Sequence, residues 1–169
     1  MVPTGPGTRP TSELVREAVF NSLEARGLVL GAVVADLFAG SGALGIEALS
    51  RGAATVVFVE SSRRAARAIS ENMTALGLTG RALLRPVTVE RWLVERCERA
   101  SDAEPPERLD LALVDPPYSW DGWETLLGGL AACGTGLVVA ESDRPVAAPG
   151  WDVVALKRHG GTVVTQLRP

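Results

Sequence analysis

The chain has one histidine, His159, and only two cysteines, Cys97 and Cys133, in 169 residues. That scarcity excludes a good deal of chemistry. Ser-His-Asp and Cys-His nucleophilic schemes would all depend on one imidazole near the C-terminus, and no cysteines or histidines have the spacing of metal ligands. Cys97 and Cys133 stand alone in helical patterns and read as core thiols. There is no apolar run long enough to span a bilayer, no secretory signal and no low-complexity stretch, so a cytoplasmic protein without membrane attachment is expected. Excess positive charge is missing too. A net charge of −3 and a pI near 5.3 argue against strong nonspecific binding to free nucleic acid, which is driven by counterion release from phosphates.

What is present is a regular alternation of short apolar runs with helical patterns. Residues 1–10, rich in Gly and Pro, read as a flexible leader, and residues 11–169 as a single domain, large enough to bury about two thirds of its unfolded surface. The patterns predict strands at Ala32–Phe38, Thr55–Glu60, Ala82–Arg85, Leu109–Val114, Leu137–Glu141, Trp151–Lys157 and Thr162–Leu167. Helices are predicted at Ser12–Ala25, Ala43–Arg51, Arg63–Leu76, Val89–Arg99 and Trp123–Ala132, the first with Leu14, Ala18, Val19 and Leu23 on its apolar face. This order implies an α/β fold: a mostly parallel seven-stranded sheet, helices on both faces, and an antiparallel hairpin at the end, turned at His159-Gly160-Gly161. Arg63, Arg64 and Arg67 share one helix and read as solvated surface, whereas Arg9 and Arg16 are candidates for phosphate contacts.

Two local motifs carry chemistry. Gly40, Gly42 and Gly45 form G-x-G-x-x-G between the first sheet strand and the next helix, a fingerprint that suits any adenosine-containing cofactor. Glu60 closes the next strand, where a carboxylate can accept both ribose hydroxyls. Asp36, just ahead of the turn, discriminates among cofactors. It would repel the pyrophosphate of NAD or FAD and attract the sulfonium and ammonium of S-adenosyl-L-methionine, which has no phosphate.

The second motif is Asp115-Pro116-Pro117-Tyr118, directly after the apolar run Leu109–Val114. An exocyclic amine on a base is a poor nucleophile because its lone pair is delocalised into the ring. Asp115 can accept one N–H and a carbonyl of the rigid Pro-Pro turn the other, so that the lone pair is aimed at an electrophile. Tyr118 can stack on the base. Proline fixes the turn and presents acceptors rather than donors. Trp120 and Trp123 follow this turn and are candidate walls of the base pocket, Trp92 fits the core face of its helix, and Glu141 closes a further strand.

With these residues in view, the chain resembles the Rossmann-like S-adenosylmethionine-dependent methyltransferases that modify base amines. Arg9 to Asn21 and Asp36 to Ala53 resemble, more narrowly, the RsmD-type bacterial enzymes that methylate a guanine N2 in 16S ribosomal RNA of the small subunit. The resemblance implies ribosomal RNA as substrate, expected within small-subunit particles with free RNA left open, and a monomer is expected. It implies that Thr11 holds the methionine carboxylate, that Asp36, Phe38, Gly40 and Gly42 surround the methionine end, and that Glu60 takes the ribose. Thr88, with Val89 beside it, falls where the family usually has an acidic or amide residue against the adenine amine. Asp115, Pro116, Pro117 and Tyr118 would be catalytic, with Asp115 also among the cofactor-binding residues. Family members usually begin with a glycine- and basic-rich hairpin, where this sequence has Met1 to Thr8. The tetrapeptide serves adenine N6 as well as guanine N2, so an adenine methyltransferase is the nearest alternative. A noncatalytic cofactor-binding ribosome assembly protein is another, and a nicotinamide enzyme is disfavoured by Asp36.

Overall fold

The computed structural model describes the backbone of residues 10–102 and 108–169, and the side chains of these except for residues 10–12 and 99–102. The predicted leader therefore lies outside the described residues apart from the backbone of Pro10. So do Arg9 and the side chain of Thr11.

In chain order the elements are α1 (Pro10–Glu24), β1 (Val33–Leu37), α2 (Ala43–Ser50), β2 (Thr55–Val59), α3 (Arg63–Ala75), β3 (Ala82–Arg85), α4 (Val89–Asp102), β4 (Leu109–Val114), α5 (Trp123–Ala132), β5 (Thr135–Ser142), β6 (Asp152–His159) and β7 (Thr162–Arg168). The strands form one sheet in the order β3-β2-β1-β4-β5-β7-β6. β1 to β5 are parallel, and β7 inserts antiparallel between β5 and β6. Strands buried on both faces need continuous apolar runs rather than alternation, and Val34, Ala35 and Leu37 of β1 and Leu111 to Val114 of β4 are all buried.

Two apolar cores lie against the sheet. On one face α1, α2 and α3 bring Val15, Phe20, Leu49 and Ile69 onto Val34, Phe58 and Leu113. On the other, α4 and α5 bring Trp92, Leu93, Leu126 and Leu127 onto Leu37, Val114 and Val138. The chain reverses direction in strand order between β1 and β4, and at such a switch point the loops beyond the strands' carboxyl ends diverge and leave a crevice. Among the described residues no helix is long and apolar enough to cross a membrane.

Two expectations need correction. Leu14 is exposed, and the buried row of α1 is Val15, Val19 and Leu23 with Phe20 beside it. Both rows have helical spacing, and only the docking angle of α1 on the sheet chooses between them. Cys97 and Cys133 are not free core thiols but a disulfide joining α4 to the C-terminal cap of α5, with 5.4 Å between their Cα atoms. Their separation of 36 residues concealed a proximity that arises because α4 and α5 pack side by side.

Candidate active site

Asp36, the penultimate residue of β1, is almost completely buried, 1 % exposed, with its Oδ2 accepting a hydrogen bond from the Gly45 amide at 2.8 Å. That amide belongs to the first turn of α2, so the carboxylate ties the strand to the helix it feeds. Burial pushes the Asp36 carboxyl up to about 8, the Gly45 amide opposes the rise, and Asp115, Glu141 and Glu60 add to it. Gly42, with φ +82°, occupies the left-handed region that other residues rarely adopt. Gly45 is needed for a different reason: a Cβ there would stand 2.3 Å from the Phe58 ring. Gly45→Ala should therefore cost about 1–3 kcal/mol by overpacking, read as a lowered urea midpoint with an unchanged slope.

Glu60, one residue beyond β2, accepts from the Gly40 amide at 2.8 Å through one oxygen and from the Ser62 amide at 2.7 Å through the other. It thus pins the glycine turn and the start of α3 at once. Each carboxylate oxygen retains a further lone pair for a hydroxyl ligand.

The sheet register explains why these acids gather. Asp36 lies opposite Phe58 on β2 and Leu113 on β4, and Leu113 lies opposite Val139 on β5. Side chains two apart on a strand share a face. Glu60, Asp115 and Glu141 follow Phe58, Leu113 and Val139 by two, so four adjacent strands present a carboxylate on the same face at their carboxyl ends. Burial raises the Asp115 carboxyl. Glu141 is raised to about 7, by burial first and then by Asp115, against the opposing pull of Arg16 on α1. Like charges in a poorly solvated site raise one another's pKa and are best relieved by a cation. The donor set therefore fits a positively charged ligand without phosphate.

Beyond β4 the chain turns at Asp115 to Tyr118. The Pro117 carbonyl accepts from the Trp120 amide at 2.8 Å, which leaves the Pro116 carbonyl as the acceptor next to Asp115. Tyr118, the only tyrosine of the chain, is 56 % exposed, and its hydroxyl lies 3.4 Å from Thr162 Oγ1. A cleft of about 450 Å³ separates Phe38, Glu60 and Ser61 from Asp115, Pro116, Pro117 and Tyr118. Phe38 has φ 60°, a strained conformation for a residue with a side chain. Trp120 meets the Phe38 ring edge-on at 5.1 Å and is itself met by Trp123 at 5.2 Å. Trp120 therefore packs against Phe38 and Trp123 against Trp120, and neither is among the residues that line the cleft, where the sequence suggested a wall. Gly122 permits this, since a Cβ there would stand 2.6 Å from the Trp120 ring.

Of the residues expected from sequence, Asp36, Phe38, Gly40, Gly42, Glu60 and Asp115 to Tyr118 are brought together. Thr88 caps α4, its Oγ1 accepting from the Arg91 amide at 3.3 Å, and Val89 is buried in the core beneath. Neither lines the cleft. Sequence reading missed the contact of Thr162 with Tyr118 and the influence of Arg16 on Glu141, because neither pairing has a local signal.

A family model described as conserved hypothetical protein 95 matches residues 1–167. The chain is 35% identical over 154 residues to "Putative rRNA methyltransferase YlbH" of Bacillus subtilis, covering 86% of this chain and 77% of that one. It is 45% identical over 75 residues to "Ribosomal RNA small subunit methyltransferase D" of Escherichia coli, covering 44% of this chain but 37% of that protein. A solved structure titled "Putative methyltransferase yhhF from Escherichia coli" superposes with a TM-score of 0.80 at 29% identity, over 96% of this chain and 88% of that one.

Proposed function

The chain belongs to the conserved hypothetical protein 95 family of RsmD-type methyltransferases, and on that premise we propose that it methylates the exocyclic N2 amine of a guanine in 16S ribosomal RNA, using S-adenosyl-L-methionine. The observation that carries this reading is the row of four carboxylates, Glu60, Asp36, Asp115 and Glu141, at the carboxyl ends of adjacent strands, of which Glu60 and Asp115 line the Asp-Pro-Pro-Tyr cleft. A purely structural scaffold has no use for three carboxylates converging on the buried Asp36, whereas a cationic cofactor relieves their mutual repulsion.

When bound, S-adenosyl-L-methionine supplies an electrophilic methyl group on a sulfonium. Asp36 and the Gly40 to Gly42 turn would receive its ammonium and backbone, Glu60 its ribose, and Thr11, at the positive end of the α1 dipole, its carboxylate. Thr88, with Val89 alongside, would meet the adenine. Asp115 and the Pro116 carbonyl would each accept one N–H of the guanine amine, turning its lone pair out of the ring plane and into line. Tyr118 would stack on the base, which must be exposed in a loop or flipped from its helix to reach it. After transfer the nitrogen is a strong acid, so its proton passes to Asp115 or to water without a dedicated base.

The test is incubation with labelled S-adenosyl-L-methionine and small ribosomal subunits lacking the modification, then with stripped RNA and with DNA, followed by mass spectrometry of the nucleosides. N2-methylguanosine in ribosomal RNA is expected, and label restricted to intact subunits would identify the assembled particle as substrate. N6-methyladenine would refute the guanine assignment. Absence of label despite cofactor binding would refute the catalytic reading.

A further inference from the structure

A nucleic-acid substrate needs positive charge where its phosphates lie, and the register that gathers the acids also shows where the sign reverses. Glu141 on β5 lies opposite Val164 on β7, Lys157 on β6 lies opposite Val164, and His159 lies opposite Thr162. The β6–β7 turn therefore emerges at the same end of the sheet as the acidic row. Its far side touches the base-receiving turn through Thr162 Oγ1 and the Tyr118 hydroxyl, 3.4 Å apart.

The last residues of β6 are Lys157, Arg158 and His159. They include the only lysine and the only histidine of the chain. Strand alternation puts Lys157 and His159 on one side of β6 and Arg158 on the other, so together they straddle the outermost strand of the sheet. Lys157 and Arg158 are exposed, and among the described residues no carboxylate pairs with either. The acids nearest in register are otherwise engaged: Glu141 is half-buried at the site and interacts with Arg16, and Asp143 pairs with Arg144 at 3.1 Å. Basic residues on an edge strand also discourage edge-to-edge pairing. That role would place charge beside the exposed Val153, Val154 and Leu156, yet the three basic groups sit at the end of the strand that faces the active site.

We infer that the hairpin tip, Lys157 to Thr162, is the surface that holds the phosphates of the substrate RNA strand next to the target base and so delivers that base to Tyr118. The inference rests on the reading of the site as an RNA methyltransferase. It also accounts for RNA recognition by a chain of net charge −3: attraction is concentrated where the substrate must enter.

Because Lys157 is the only lysine, acetylation of the native protein with an amine-reactive reagent reads this position directly, apart from the N-terminal amine. Small ribosomal subunits, or a labelled single-stranded oligoribonucleotide, should protect Lys157. The double variant Lys157→Glu, Arg158→Glu should raise KM for the RNA substrate at least about tenfold, with kcat and cofactor affinity unchanged. The plot of log affinity against log salt for the oligoribonucleotide should become shallower by roughly 1.4, for two lost phosphate contacts. Equal acetylation with and without RNA would overturn the inference, as would an unchanged KM, or an equal loss in Arg63→Glu, Arg64→Glu on α3. Hairpin-dependent RNA binding without methylation of any RNA would instead refute the activity and leave the docking surface standing. Methylation that ignores the hairpin would do the reverse.

Discussion

Asp36→Asn is expected to yield a protein that no longer binds S-adenosyl-L-methionine and yet, without ligand, melts at a higher temperature than the parent at pH 8. The buried Asp36 keeps its proton in the folded chain until about pH 8, against an ordinary value of 3.8. Between those values the folded state binds more protons than the unfolded one, so stability falls as pH rises through the interval. A shift of this size corresponds to on the order of 5 kcal/mol once the group is ionised. Asparagine carries no charge and can still accept from the Gly45 amide through its side-chain oxygen, so the penalty disappears while the turn is kept. The check is thermal unfolding of parent and variant at pH 5 and pH 8, beside calorimetric titration with the cofactor. The gap in melting temperature should be small at pH 5 and wide at pH 8; equal gaps at both would refute the assignment. In the parent, cofactor affinity should rise with pH through 7 and 8, because Asp36 and Glu141 are raised to about 8 and about 7 and a cation selects their ionised forms. The gain is at most about tenfold per pH unit for each proton released.

The second large effect belongs to Asp115. Asp115→Ala should lower kcat by on the order of 10²–10³ or more, the loss expected when a preorganised group acting on the reacting centre is removed. Cofactor affinity should be retained. Asp115 contributes to the raised values of both Asp36 and Glu141, so its removal eases their ionisation, which offsets the loss of one negative charge from the attraction for a cation. Single-turnover methylation measures the first quantity and equilibrium titration the second. Normal turnover in the variant would exclude Asp115 from the chemistry. A parallel loss of cofactor binding would mean that its role is to hold the ligand rather than the amine.

Much of this site was legible because each of its carboxylates closes an apolar run. Asp36 follows Val33 to Ala35, Glu60 follows Val56 to Val59, and Asp115 follows Leu111 to Val114. A parallel strand buried on both faces can be recognised from such a run alone, and its carboxyl end is where ligands gather. Glu141 was visible in the same way, but the influence of Asp115 on it was not, since that depends on β5 lying next to β4. Trp120 was read as a pocket wall because it follows the Asp-Pro-Pro-Tyr turn. The structure packs it against Phe38, where Gly122 leaves room for its ring.

By itself, then, the sequence determined which segments are strands and helices and approximately where they end, the glycine turn, the placement of the acids at strand ends and the rigid Asp-Pro-Pro-Tyr turn. These follow from periodicity, backbone freedom and proline geometry, which act over a few residues. Only the tertiary structure decided that the four carboxylates share one face, that Val15 rather than Leu14 of α1 is buried, that Cys97 meets Cys133, and that Thr162 reaches Tyr118 across 44 residues. Those outcomes depend on strand order, register and helix docking, and these are set by contacts between segments far apart in the chain.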